Sequence, residues 1–85
     1  MQCTKDVVVQ VSGGLRHQAA ARFIQTANRF ESVIRVTYGD NNVNAKSLLG
    51  VLSLAIGNGA QVTLTADGPD AEEALADLER DLSEA

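Results

Sequence analysis

Strict alternation is the feature that most restricts this chain. In Ile34-Arg35-Val36-Thr37-Tyr38, and again from Gln61 to Ala66, every second residue is apolar and the residues between are polar. Successive Cβ atoms of a strand point to opposite faces, so a period of two gathers the apolar side chains on one face. Lys5 to Val11 reads the same way, with Val7, Val9 and Val11 on one side and Val8 and Gln10 on the other. Strands that bury a single face belong to an antiparallel sheet with its other side in water; strands of a parallel sheet covered on both faces would be apolar throughout. The wet face of the predicted sheet carries Val8, Gln10, Arg35, Thr37, Thr63 and Thr65.

Between these stretches the period lengthens. Arg16 to Arg29 places Ala19, Ala20, Phe23, Ile24, Ala27 and Phe30 at the spacing of one helical stripe. Ser12-Gly13-Gly14 breaks the chain before it, and Gly39-Asp40-Asn41-Asn42 is turn chemistry leading to a short returning strand, Asn42 to Ala45. Ser47 is a helix N-cap for Leu48 to Leu54, and Gly57-Asn58-Gly59 ends that helix. After Gly68-Pro69, Asp70 caps a last helix with Glu73 as its capping-box partner, and Ala71, Ala74, Leu75, Leu78 and Leu82 form the apolar stripe. The predicted order is β-α-β-β-α-β-α. This is an α+β chain whose helices pack on one side of a mainly antiparallel sheet. With no linker, repeat or biased tract, residues 1–85 read as one domain.

A core for this chain must be economical. At 85 residues a domain buries only about 60–65% of its unfolded surface. The 45% of hydrophobic residues is enough to pack it, mostly with aliphatic side chains. The net charge of −4 gives a field of the wrong sign for binding nucleic acid through phosphate counterion release, and equally for a basic membrane-surface helix. Cys3 has no second cysteine to pair with and falls at the start of the chain, where a frayed, inert surface thiol is expected. There is no basic-then-apolar leader and no apolar run near the length of a membrane span, so a cytoplasmic protein is expected.

Candidate chemical groups are few. His17 stands in the first helical turn, where backbone N–H groups favour an anion; it is a phosphoryl acceptor or general base, or simply a surface histidine, and no neighbouring carboxylate or serine forms a relay. Ser12-Gly13-Gly14 has neither glycine spacing known for nucleotide-phosphate loops and reads as a turn. The carboxylates Asp70, Glu72, Glu73, Asp77, Glu79, Asp81 and Glu84 alternate round a helix without the spacing of a calcium cage, so they read as a solvated face; no metal and no cofactor is expected. The segment from Asn44 to Gly50 differs. One short helix cannot bury all of Leu48, Leu49, Val51, Leu52 and Leu54, so some must show to solvent, as a protein-docking patch or as plain packing. A phosphate on Ser47 would sit at the positive end of that helix, beside Lys46.

The run Asn44-Ala45-Lys46-Ser47-Leu48-Leu49-Gly50-Val51-Leu52-Ser53-Leu54 closely resembles the regulatory-serine segment of the HPr family, the histidine phosphocarriers of the bacterial sugar phosphotransferase system. The likeness extends to Gln25-Thr26-Ala27-Asn28-Arg29-Phe30, to Gly59 through Leu64 and to Asp67-Gly68, and covers essentially the whole chain. It implies an open-faced sandwich: a four-stranded antiparallel sheet under three helices. In that family a Gly-(Ile/Leu)-His-Ala-Arg-Pro motif carries the phosphoryl group from enzyme I to the sugar-specific enzymes. Here the residues are Gly14-Leu15-Arg16-His17-Gln18-Ala19. Arg16 occupies the histidine slot, Gln18 the arginine slot and Ala19 the proline slot; a shift of one residue restores His17 but puts Ala19 in place of the arginine. A guanidinium stays protonated and cannot carry a phosphoryl group. Moving a histidine one position along a helix turns it by about 100° and shifts it by about 1.5 Å, which should cost in-line transfer heavily.

The sequence therefore resembles the Crh-like branch of the family, which lacks the acceptor histidine and keeps the regulatory serine. The resemblance implies a regulatory protein of carbon catabolite control with no turnover of its own. Ser47 would be phosphorylated by HPr kinase/phosphorylase and the product recognised by a LacI-type catabolite regulator. Leu48, Leu49 and Leu52 would form the docking surface, with Arg16, His17, Gln18 and Lys46 as polar neighbours. Two other readings stand beside it: a working phosphocarrier that uses His17 and meets enzyme I and the sugar-specific enzymes, and an interaction module in which Ser47 only caps a helix.

Overall fold

The computed structural model describes residues 1–83, in the order β1 (Gln2–Val8), α1 (His17–Asn28), β2 (Val33–Tyr38), β3 (Asn41–Asn44), α2 (Leu48–Ser53), β4 (Gln61–Asp67) and α3 (Ala71–Leu82). The four strands form one sheet in the order β1-β4-β2-β3. Every neighbouring pair is antiparallel, with Val7 opposite Val62, Leu64 opposite Val36, and Val36 opposite Val43. The alternation works as expected. Val7, Ile34, Val36, Val62, Leu64 and Ala66 are buried on one face, whereas Val8 and Arg35 on the other are exposed and Thr37, Thr63 and Thr65 half-buried. On that wet face Arg35 and Asn42 are hydrogen-bonded, and the Asn42 amide donates to the Thr37 hydroxyl at 2.7 Å.

The helices close the core from the other side. Ala20, Phe23 and Ala27 of α1, Val51 of α2, and Ala71, Ala74, Leu75, Leu78 and Leu82 of α3 join the strand residues in one apolar cluster. Each fully buried Val, Leu or Phe stabilises the fold by about 1.5–3 kcal/mol relative to exposure. Between α1 and α3 the buried Thr26 hydroxyl donates to Asp81 at 2.6 Å. The Lys5–Glu79 ion pair (3.0 Å) is exposed and adds little. Among the described residues no helix is long and apolar enough to cross a membrane.

Several boundaries differ from the sequence expectation, each for a local reason. The first strand begins at Gln2, three residues earlier than expected, because β4 is long enough to pair with the whole of Gln2–Val8. Cys3 is therefore not frayed: it lies opposite Ala66, half-buried against the core. Val9 and Val11 are buried as expected but lie beyond the regular ladder; the Val9 carbonyl accepts from Gly59 N–H (2.7 Å), and Gln10 N–H donates to the end of α3 at the Leu82 carbonyl (2.6 Å). Arg16 is the N-cap of α1 rather than its first turn. The third strand runs Asn41–Asn44, one residue earlier than expected. The second helix stops at Ser53, before its glycines, and Ala55 takes the left-handed turn itself at φ 50°. That conformation crowds Cβ against the backbone of any residue but glycine.

Asp70 departs furthest from expectation. Its side chain makes no capping bond. The carboxylate instead reaches across to the loop after α1, accepting from the Ser32 hydroxyl (2.5 Å), Ser32 N–H (3.0 Å) and Glu31 N–H (2.9 Å). Ser32 is fully buried, and Gly68 lets the two loops meet: at its φ of 156° a Cβ would lie 2.5 Å from the Ser32 oxygen. The capping-box reading failed because Asp70 had better donors in tertiary contact than along its own helix. Glu84, counted with this helix in the sequence, lies outside the described residues.

Two predictions follow from these contacts. Replacing Ala55 by Gly removes the left-handed strain and should raise the unfolding free energy by about 1 kcal/mol in denaturant titrations. The Ser32 hydroxyl, with the N–H groups of Glu31 and Ser32, holds the Asp70 carboxyl below its ordinary value of 3.8. A carboxyl depressed in the folded state adds stability that is complete above its unfolded value and lost as the pH falls through the folded one. Asp70→Asn should therefore lower the melting temperature at neutral pH and flatten its decline below 3.8.

Candidate functional site

Two helix starts hold the residues singled out by the sequence. The first is built by the chain between β1 and α1. Gly14 is the position where close approach decides the geometry: at φ 82°, a Cβ there would come within 2.6 Å of the Ile56 carbonyl and 2.9 Å of the Gly57 Cα. Glycine allows the loop before α1 to lie directly on the loop after α2, and Leu15 N–H donates to the same Ile56 carbonyl at 2.9 Å. With Leu15 buried, Arg16 follows in an extended conformation and α1 begins at His17. Ser12, Gly13, Gly14, Arg16, His17 and Gln18 line one open cleft of about 420 Å³.

The charge of this corner is one-sided. Arg16 provides no capping oxygen and α1 has no acidic residue in its first turn, so the positive end of the helix dipole adds to an exposed guanidinium. His17 is exposed, and its backbone is left-handed at φ 54°, a conformation that costs a non-glycine residue about 1–3 kcal/mol. The imidazole thus leaves the helix from a backbone unlike that of a regular first turn. No hydrogen bond or ion pair joins Arg16, His17 or Gln18 to Ser47 among the described residues.

The second start is α2. Ser47 is extended (φ −102°, ψ 115°), and its hydroxyl oxygen accepts from Gly50 N–H at 3.1 Å, as expected of an N-cap. Gly50 fits tightly there, since a Cβ would stand 3.3 Å from that oxygen. Val51 and Leu54 turn into the core, while Leu48, Leu49 and Leu52 are 44%, 81% and 40% exposed. The apolar excess of this short helix does project into water beside the serine.

Lys46 is placed differently from the sequence expectation. Its ammonium does not lie free beside Ser47 but donates to the Phe30 carbonyl at 2.7 Å, just past the end of α1. A negative helix pole and an unpaired carbonyl outcompete a neutral hydroxyl for the charge. The Asn44 side chain accepts from Lys46 N–H at 2.9 Å. That Asn-x-Lys turn is a local signal the sequence does contain; the Phe30 partner, sixteen residues away, has none. Among the described residues no cluster of His, Cys, Asp and Glu is arranged to hold a metal.

The fold and these two helix starts define a class: an open-faced antiparallel sandwich that presents a capped serine and a cationic helix start at its surface. Comparisons with known proteins identify the family. The family model described as the PTS HPr component phosphorylation site matches residues 3–84. The chain is 46% identical to the HPr-like protein Crh of Halalkalibacterium halodurans over 87% of its own length and 88% of that protein's, and 46% identical to the HPr-like protein Crh of Bacillus subtilis over 85% of each. The crystal structure of the phosphocarrier protein HPr from Bacillus anthracis superposes with a TM-score of 0.93 at 44% identity, covering 95% of this chain and 96% of that one. The chain belongs to the HPr family.

Loss of the Ser47 cap should be measurable without loss of the fold. Ser47→Ala removes the acceptor for Gly50 N–H and should cost about 1 kcal/mol in denaturant unfolding, with the circular dichroism of the folded state unchanged.

Proposed function

We propose that this chain is an HPr-like regulatory protein of carbon catabolite control, switched by phosphorylation of Ser47. HPr kinase/phosphorylase would be the modifying enzyme, and a LacI-type catabolite regulator the partner that recognises the product. The observation that carries this reading is the surface round Ser47. A half-buried hydroxyl caps a helix, and three exposed leucines follow it. Such leucines are a liability unless a partner covers them. Membership of the HPr family and the likeness to two proteins named Crh support the regulatory role.

The chemistry suits the position. The Ser47 oxygen attacks the γ-phosphorus of ATP, the bond from that phosphorus to the bridging oxygen breaks, ADP leaves with the electron pair, and the hydroxyl proton passes to a base on the kinase. The product places a dianion over the first N–H groups of α2, where Gly50 N–H already points at the serine oxygen. At the other helix start the ungapped alignment puts Arg16 in the family's histidine slot, and a guanidinium is no phosphoryl acceptor. We assign Arg16, His17 and Gln18 to the cationic rim of the docking surface. Leu48, Leu49 and Leu52 form its apolar floor.

Incubation with purified HPr kinase/phosphorylase and ATP should add one phosphate to the wild type and to His17→Ala, and none to Ser47→Ala. Enzyme I with phosphoenolpyruvate should leave no acid-labile phosphate. An acid-labile label that vanishes in His17→Ala would instead make the chain a phosphocarrier.

A further inference from the structure

We infer that Lys46 is a positioning residue for Ser47: it ties the segment before α2 to the end of α1 and so holds the serine in the extended, presented conformation. The inference rests on Ser47 being the acceptor and concerns how the fold delivers it. Lys46 is anchored through its backbone and its side chain. Its N–H donates to the Asn44 side chain at 2.9 Å, its ammonium donates to the Phe30 carbonyl at 2.7 Å, and its own carbonyl lies 3.5 Å from the Asn28 amide. Asn28 and Phe30 straddle the C-cap of α1, and that helix carries no basic residue in its last turn. The C-cap Arg29 turns its guanidinium toward Asp77 (3.9 Å), and the ammonium of Lys46 adds a cation directly on a carbonyl at the negative pole of α1. The bond is partly shielded from water, and a charged donor makes it stronger than a neutral hydrogen bond.

The need for a tether comes from α2 itself. Six residues make a helix too short to form alone in water. Within it only Val51 is buried, and Leu54 just past its end is the other apolar anchor. Val51 lies in its second half and Leu54 beyond its end. Its start is held by the Ser47 cap and by whatever fixes residues 44–47, namely the Asn44 turn, Ser47 N–H to the Asn44 carbonyl (3.0 Å), Ala45 N–H to the Ile34 carbonyl (2.9 Å), and Lys46. Without the Lys46 bonds the approach to the cap keeps only the backbone bonds of Ala45 and Ser47 and is held more loosely. A kinase must then order that segment when it docks, which raises KM and leaves the chemical step alone.

Two measurements test this, one with the kinase and one without it. Amide hydrogen exchange at Gly50 N–H reads the cap directly. Lys46→Met and Asn44→Ala should each speed it roughly tenfold, the effect of losing one strong hydrogen bond. With HPr kinase/phosphorylase and ATP, both variants should raise KM for the protein several-fold at unchanged kcat. The double variant should lose less than the product of the two, because both cut the same tether. Lys46→Arg, which still donates to the Phe30 carbonyl, should restore KM and exchange. Lys5→Met removes an equal charge from β1 and should change neither. A rise in KM for Lys46→Met while Asn44→Ala keeps the wild-type KM, with Gly50 exchange unaltered in both, would overturn the inference and make Lys46 a direct kinase contact. If the wild type accepts no phosphate, the assignment of Ser47 falls; unaltered Gly50 exchange in both variants would then overturn the tether as well.

Discussion

One-sided burial of the sheet is the constraint from which the rest of the structure follows. Val7, Ile34, Val36, Val62, Leu64 and Ala66 turn to a single face, and only helices crossing that face keep water off them. Every helix must therefore start and stop at an edge of the same layer, so the connecting loops are crowded at the ends of the strands. Gly14 lies against Ile56 and Gly57, and Gly68 against Ser32, because at these crossings even one Cβ would collide. His17, three residues past Gly14, starts its helix at one of these crossings; Ser47 starts the helix that leads to the Ile56 side of the same crossing. The sheet itself contributes no chemistry; it decides where the helix ends appear.

Backbone strain is distributed in keeping with that geometry. Among the described residues the non-glycine residues with positive φ are His17, at the start of α1, and Ala55, just after α2. Both flank the contact where the loop before α1 meets the loop after α2, through Leu15 N–H and the Ile56 carbonyl. A left-handed residue outside glycine persists only where surrounding contacts over-determine it. Here the surrounding contacts are buried: Leu15 and Ile56 are 2% and 1% exposed. Core burial of those two side chains, each worth about 1.5–3 kcal/mol, is of the size needed to offset the strain beside them.

The layer architecture was legible in the sequence because it depends on periodicity, which is local. Alternation over residues 34–38 and 61–66 gave two strands, and the spacing of Ala71, Ala74, Leu75, Leu78 and Leu82 gave the last helix with every stripe residue buried. The Ser47 cap was legible from a hydroxyl just before an apolar run, and too many leucines for too short a helix meant that some had to be exposed; the family resemblance pointed to Leu48, Leu49 and Leu52. What failed to show depended on partners distant in the chain. Asp70 has the local signature of a capping box, yet its carboxylate goes to Glu31 and Ser32. Lys46 has the local signature of a phosphate neighbour, yet it bonds to Phe30. Polar side chains with a choice between a local and a tertiary partner take the stronger one, and no spacing rule sees the tertiary option.

These polar contacts also set where added charge is tolerated. In a chain of net charge −4 a further dianion is unwelcome over most of the surface, and least welcome on α3, whose first turn already holds Glu72 and Glu73. The start of α2 is an exception: it has no acidic residue in its first turn, and its cap oxygen already faces a backbone N–H. Phosphate there would complete an N-terminus, whereas on α3 it would repel its neighbours. With Lys46 drawn off to Phe30, a phosphate at this position would rely on the helix start and on a cation brought by a partner. An arginine or lysine from the partner would then find a half-neutralised dianion beside exposed leucines, which couples recognition of the modification to burial of the apolar surface next to it.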